Sequence, residues 1–156
     1  MSPYDQLDPA IQAEMRERFR AAPLHALLDL EIRPFDPDGD GLVTVDMPIT
    51  PNAYGWDGNL HGGAIATLVD VACAAAASRA SDFDPFRNAL VTSDMHVRYL
   101  GRPRGAQLRG EAKVVKSGRT LIVVEGRVVD EVGTVVAVAD FSAMLIPLRT
   151  PLAPEA

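Results

Sequence analysis

The residues best equipped for chemistry lie in one short run, His61-Gly62-Gly63 followed by Asp70. Asp70 is a carboxylate inside the otherwise apolar segment Asn59 to Ala80, NLHGGAIATLVDVACAAAASRA. An unpaired buried carboxylate is costly, so it finds a partner, shifts its pKa or faces a cavity. Two outcomes are open. Asp70 bonds a hydroxyl such as Thr67 or a basic side chain from a neighbouring strand, or it is a catalytic carboxylate in a cleft, acting as general base or nucleophile. Gly62 and Gly63 offer the complement. The first N–H groups of a helix lack internal partners and its dipole makes that end positive, while glycine lets a ligand approach the backbone. Such a site could hold a carbonyl oxygen as it gains negative charge. The alternative is a packing pair at a tight strand-to-helix turn.

The element that must position these groups is a helix over about 61–80. Ala64, Ile65, Ala66, Leu68, Val69, Val71, Ala72 and Ala74 to Ala77 cover all sides of a helical wheel, with no proline to interrupt them. Such a helix is expected to be buried all round. Gly62 and Asp70 are eight residues apart, or roughly 12 Å along one helix. Groups acting on one carbonyl must lie much closer. Two antiparallel copies could each supply their start to the other's middle, which predicts a homo-oligomer with shared sites if both groups are catalytic.

Around this helix the pattern is mostly of strands. Asp8-Pro9 reads as an N-cap and first helical residue, with Ile11, Met15 and Phe19 as a one-sided stripe, Pro23 as a break and a further helical turn to about Leu30. Leu30 to Phe35 and Leu42 to Met47 read as strands around the turn cluster Asp36 to Gly41, which lacks the spacing and closing glutamate of a calcium loop. Pro48 to Asn59 is a loop and Ser81 to Asn88 a polar turn. Long strands follow over about 89–100, 106–115, 121–130 and 134–146. In the first of these, Val91, Ser93, Met95, Val97 and Tyr99 are expected on one side. Thr92, Asp94, His96 and Arg98 are expected on the other. Asp94 and His96 are a possible acid–base pair.

The run Leu60 to Asp70, LHGGAIATLVD, resembles the signature of PaaI-type acyl-CoA thioesterases, within the 4-hydroxybenzoyl-CoA thioesterase-like superfamily. The likeness continues to about Leu148. It implies an α+β hotdog fold: a long central helix wrapped by a curved antiparallel β-sheet, here with an N-terminal helix over 1–28 and a flexible tail over 149–156, in one domain. It implies hydrolysis of an acyl-CoA thioester, with Asp70 as base or nucleophile and the Gly62 N–H as oxyanion donor. His61 then orders the turn or contacts the carbonyl, Gly63 and Asn59 lie against the substrate, and Thr92 steers water. The family commonly carries an asparagine some six residues before the histidine. Gly55 stands there in this chain, so the role passes to Asn52 across a longer loop, or in part to Asn59. Trp56 and Tyr54 could line an acyl pocket. The turn Lys116-Ser117-Gly118-Arg119 lies near the nucleotide end of coenzyme A in the resemblance. Residues 95–130 hold eight Lys/Arg, Arg98 among them, against three acids, which suits a polyanionic ligand.

Composition narrows the rest. A length of 156 residues with 47% hydrophobic content suits one folded domain, and the net charge of −6 argues against general nucleic-acid binding. Cys73 cannot form an internal disulfide. The chain shows no basic-then-apolar opening and no run long enough to span a bilayer, so a cytoplasmic protein is expected, without membrane insertion. No cofactor is expected beyond coenzyme A as part of the substrate, and three scattered histidines make no metal site. Two other functions fit the same pattern: a hotdog hydratase or dehydratase on acyl thioesters, and a non-catalytic acyl-CoA-binding module.

Overall fold

The computed structural model describes residues 8–36 and 40–149. The expected flexible tail therefore falls, but for Arg149, outside the described residues, as does the start of the N-terminal segment. Helix α1 (Pro9–Ala21) begins as the sequence suggests: Asp8 caps it, its carboxylate accepting from the Ala10 N–H at 2.7 Å, and Pro9 takes the first helical position. A short helix α2 (Pro23–Leu27) follows. The stripe of α1 is half-buried at best, with no residue of the helix fully enclosed.

Six strands form one antiparallel sheet in the order β1-β2-β4-β5-β6-β3: β1 (Glu31–Ile32), β2 (Val43–Pro48), β3 (Asn88–Tyr99), β4 (Gln107–Ser117), β5 (Leu121–Asp130) and β6 (Val135–Pro147). Helix α3 (Gly62–Arg79) lies in the concave face. This is the hotdog arrangement. The first expected strand shrinks to two residues. The fourth extends through Ser117, so Lys116 and Ser117 are strand residues rather than turn residues.

Alternation explains the core. Val43, Val45, Met47, Leu108, Ala112, Ile122, Val124 and Val128 point at α3 and are buried. Two strand glycines let the helix settle closely. A Cβ on Gly126 would lie 2.6 Å from Cys73 Sγ and 2.7 Å from Val69 Cγ2, and one on Gly110 would lie 3.0 Å from the Leu68 carbonyl oxygen. Asp46, on the face of β2 opposite Val45 and Met47, is nonetheless buried. Its carboxylate is held by Arg33 and by Arg109 Nε at 3.0 Å.

The helix departs from the expectation in one respect. Nine of its residues are buried, but Ala66, Asp70, Ala74 and Ser78 are only half-buried. Their spacing of four places them on one flank. Ala-rich composition made α3 apolar all round, yet one flank stays open because the sheet ends beside it. The terminal strand β3 pairs with β6 on one side only.

Candidate active site

The open flank carries Asp70, and β3 supplies its partner. Thr92 Oγ1 donates to Asp70 Oδ1 at 3.0 Å. The alternative donor, Thr67, is engaged elsewhere: its hydroxyl donates to the Gly63 carbonyl at 2.9 Å. A hydroxyl that donates its one hydrogen bond to a carboxylate keeps its lone pairs free to accept from an O–H or N–H donor. The Thr92 oxygen can therefore accept a further hydrogen bond beside the Asp70 carboxylate.

Thr92 reaches α3 through an irregularity that alternation does not anticipate. The pairing of β3 with β6 runs Thr92 opposite Ala143 and then Asp94 opposite Ser142, leaving Ser93 as an extra residue. Ser93 turns its hydroxyl to Ser142, 3.1 Å from the carbonyl oxygen and 2.9 Å from Oγ. This bulge reverses the phase of the strand. Thr92 faces the helix, and so do Met95, Val97 and Tyr99, while Asp94, His96 and Arg98 face away. The expected grouping of Thr92 with Asp94, His96 and Arg98 is thus corrected. The Asp94–His96 pair lies on the far side of the sheet from Asp70.

The start of α3 is built from three contacts. His61 is the N-cap, and its Nδ1 accepts from the Gly63 N–H at 2.8 Å. An accepting Nδ1 carries no proton, so the neutral ring keeps its proton on Nε2. Gly63 has no room for a side chain: a Cβ would sit 2.8 Å from His61 Nδ1. Tyr99 Oη donates to the Gly62 carbonyl at 3.0 Å, with its ring 3.4 Å from where a Gly62 Cβ would stand. The Gly62 N–H has no hydrogen-bond partner among the described residues. It is one of the orphan donors at the positive end of the helix.

The loop before α3 is tightly closed. The Gly55 N–H donates to the Asn59 carbonyl at 2.7 Å and the His61 N–H to the Ala53 carbonyl at 2.8 Å. Asp57 accepts from the side-chain amide and the backbone N–H of Asn59, which hold its carboxyl below the usual range. Asn59 is thereby committed to the loop. Asn52 donates its amide to the Leu27 carbonyl at 3.1 Å, joining the loop to α2. Trp56, at the loop tip, is wholly exposed, and Tyr54 about half.

The remaining expected ligand residues lie apart from Asp70. Arg98 points outward and pairs with Asp140 at 3.5 Å. Lys116, Ser117 and Arg119 are exposed around the β4–β5 turn, where the Gly118 N–H closes onto the Leu121 carbonyl at 2.9 Å. That turn shares a cross-strand row with the site, Thr92–Ala143–Ile122–Ser117, about 14 Å away at three strand spacings. A cavity of about 460 Å³ lies on the outer face between Arg98, Glu111, Lys113, Glu125, Arg127 and Asp140. Its charges mostly neutralise one another, as in Arg127–Glu111 at 2.6 Å. Asp70 and Thr92 line an open flank instead.

A sequence profile described as the thioesterase superfamily matches residues 57–137, just over half of the chain. The chain belongs to the thioesterase superfamily. Solved structures agree. A Bacillus halodurans protein, solved with CoA, is 31% identical over 89% of this chain and 87% of its own, with a TM-score of 0.73. A thioesterase family protein from Silicibacter pomeroyi is 27% identical over 88% and 98%, with a TM-score of 0.74. A Haemophilus influenzae thioesterase shares the fold at 20% identity, covering 88% and 91%, with a TM-score of 0.75. No curated protein matches the chain. In this thioesterase superfamily member, the matched residues span α3, β3 and the loop tip from Asp57, so they include the Thr92–Asp70 pair and the Gly62 turn. Among the described residues, no helix is long and apolar enough to cross a membrane.

Proposed function

We propose that the chain hydrolyses an acyl-CoA thioester to the free acid and coenzyme A, as a PaaI-type hotdog enzyme. The observation that carries this is the Thr92–Asp70 pair on the half-open flank of α3. Superfamily membership and the CoA-bound relative support the choice of substrate. Thr92 donates a hydrogen bond to the Asp70 carboxylate and accepts one from a water, whose proton passes to Asp70 as the water oxygen attacks the thioester carbon. The carbonyl oxygen becomes an oxyanion and is met by a Gly62 N–H. Collapse expels the CoA thiolate, which takes the proton from Asp70. In the variant route Asp70 itself attacks, and water then cleaves the resulting anhydride. A single turnover in ¹⁸O water separates the two, since only the anhydride route can leave label in Asp70.

The donor comes from a second copy on this reading. The free edge of β3 can pair with itself antiparallel. A two-fold axis at His96 sets Met95 opposite the partner's Val97 and Asp94 opposite the partner's Arg98, a complementary charge pair. The Ser93 bulge then brings Thr92 opposite the partner's Tyr99, and so Asp70 toward the partner's Gly62. Lys116 and Arg119 would hold the nucleotide end of coenzyme A, and Trp56 would reach the acyl end.

The test is release of free thiol from a panel of aliphatic and aromatic acyl-CoAs by wild type and Asp70→Asn. The expected result is turnover by wild type on at least one member and its near-complete loss in the variant. Turnover that survives Asp70→Asn would overturn the assignment.

A further inference from the structure

We infer that Tyr99 is a positioning residue for the oxyanion donor, acting through the Gly62 turn; this rests on the thioester reading above. The start of α3 is a pair of adjacent glycines, the most conformationally permissive sequence a helix can begin with. An oxyanion donor works by being fixed before charge develops, so this permissiveness opposes the task. Two side chains restrain the pair. His61 holds the Gly63 N–H from the N-cap position. Tyr99 holds the Gly62 carbonyl through its hydroxyl at 3.0 Å and lays its ring against the Gly62 backbone, with Cζ, Cε1 and Oη all 3.4–3.5 Å from the place of a Cβ.

The geometry favours this role over simple packing. The Tyr99 hydroxyl bonds a carbonyl in the first turn, which already has a helical acceptor role, so the bond is not needed to satisfy that group. What the bond adds is an anchor from β3, the strand that also holds Asp70 through Thr92. One strand thereby ties down both the Asp70 and the Gly62 of its chain, which serve two neighbouring sites on the reading above.

The experiment is Tyr99→Phe, which keeps the ring and removes the hydroxyl, measured for kcat, KM, melting temperature and backbone ¹⁵N order parameters at Gly62 and Gly63. The expected result is a fall in kcat of roughly three- to tenfold, the scale of one neutral hydrogen bond, with KM and melting temperature near wild type and lower order at Gly62. An unchanged kcat, a rise in KM alone, or a loss of activity matched by loss of folded protein would overturn it. Should wild type turn over no acyl-CoA, the thioester reading fails first, and the order parameters alone then decide whether Tyr99 fixes the turn. Unchanged order at Gly62 would refute the tether whatever the activity.

Discussion

Thr92 and Tyr99 are seven residues apart on one strand, yet both side chains reach α3. An odd separation in a regular strand puts two residues on opposite faces. The extra residue at Ser93 restores the common face. Inserting one alanine between Asp94 and Met95 makes the separation eight, which with a single bulge puts the two residues on opposite faces, so one of the two contacts should break. We expect at least a tenfold loss of kcat in a protein that keeps its far-UV circular dichroism and melts cooperatively. Full activity in the insertion variant would mean that strand phase does not matter.

Thr92→Val keeps the shape and removes the hydroxyl beside Asp70. A hydrogen bond to a charged group contributes about 1.5–3 kcal/mol, so kcat should fall about tenfold or more while KM holds. Steady-state kinetics on the best acyl-CoA substrate checks this. A rise in KM alone would place Thr92 in binding.

Asp70→Ala and Gly62→Val, each nearly inactive, should complement one another when subunits exchange. At equal amounts about a quarter of wild-type activity should return, because half of randomly paired dimers are mixed and each keeps one intact site of two. No recovery in verified heterodimers would argue for sites within one chain.

Gly126→Ala should be costly far from any chemistry. Its Cβ would press on Cys73 Sγ at 2.6 Å and Val69 Cγ2 at 2.7 Å, an overpacking cost of about 1–3 kcal/mol. Denaturant unfolding measures it. Gly62→Ala is the contrast, since its Cβ meets nothing closer than 3.4 Å.

Asp130 gives the fold an acid limit. Burial pushes its carboxyl up, but N–H groups of Arg104, Thr134 and Val132 outweigh this and hold it below the ordinary value. A folded-state pKa below the unfolded one stabilises the protein above the unfolded pKa, about 3.9. That contribution is lost as pH falls through the folded value. Asp130→Asn should lower the melting temperature at pH 7 and flatten its decline below pH 4. An unchanged acid slope would assign the limit to other carboxylates.

Much of this was legible in the sequence for local reasons. Asp8-Pro9 announced a helix start, the Ala-rich run a central helix, and the lone carboxylate at Asp70 the need for a partner such as a hydroxyl. Tertiary facts were harder. The bulge carries no glycine or proline to mark it; the one clue was Ser93, a polar residue at an apolar phase of the strand. Tyr99 grouped with Met95 and Val97, as found, but its bond to Gly62 depends on which end of β3 meets the helix start. The open flank of α3 is invisible to a helical wheel, because it reflects where the sheet stops. That Arg33 and Arg109 close over Asp46 is a tertiary fact of the same kind.

The exposed indole at the loop tip has an optical consequence. Trp56 is the chain's one tryptophan. Excited selectively, the protein emits from a single fluorophore adjacent in sequence to Asp57 of the Asn59–Asp57 clasp and a few residues from His61, in full contact with solvent. Its wavelength is thus a local gauge of polarity at the mouth of α3, with no background from the core, and it needs no added label.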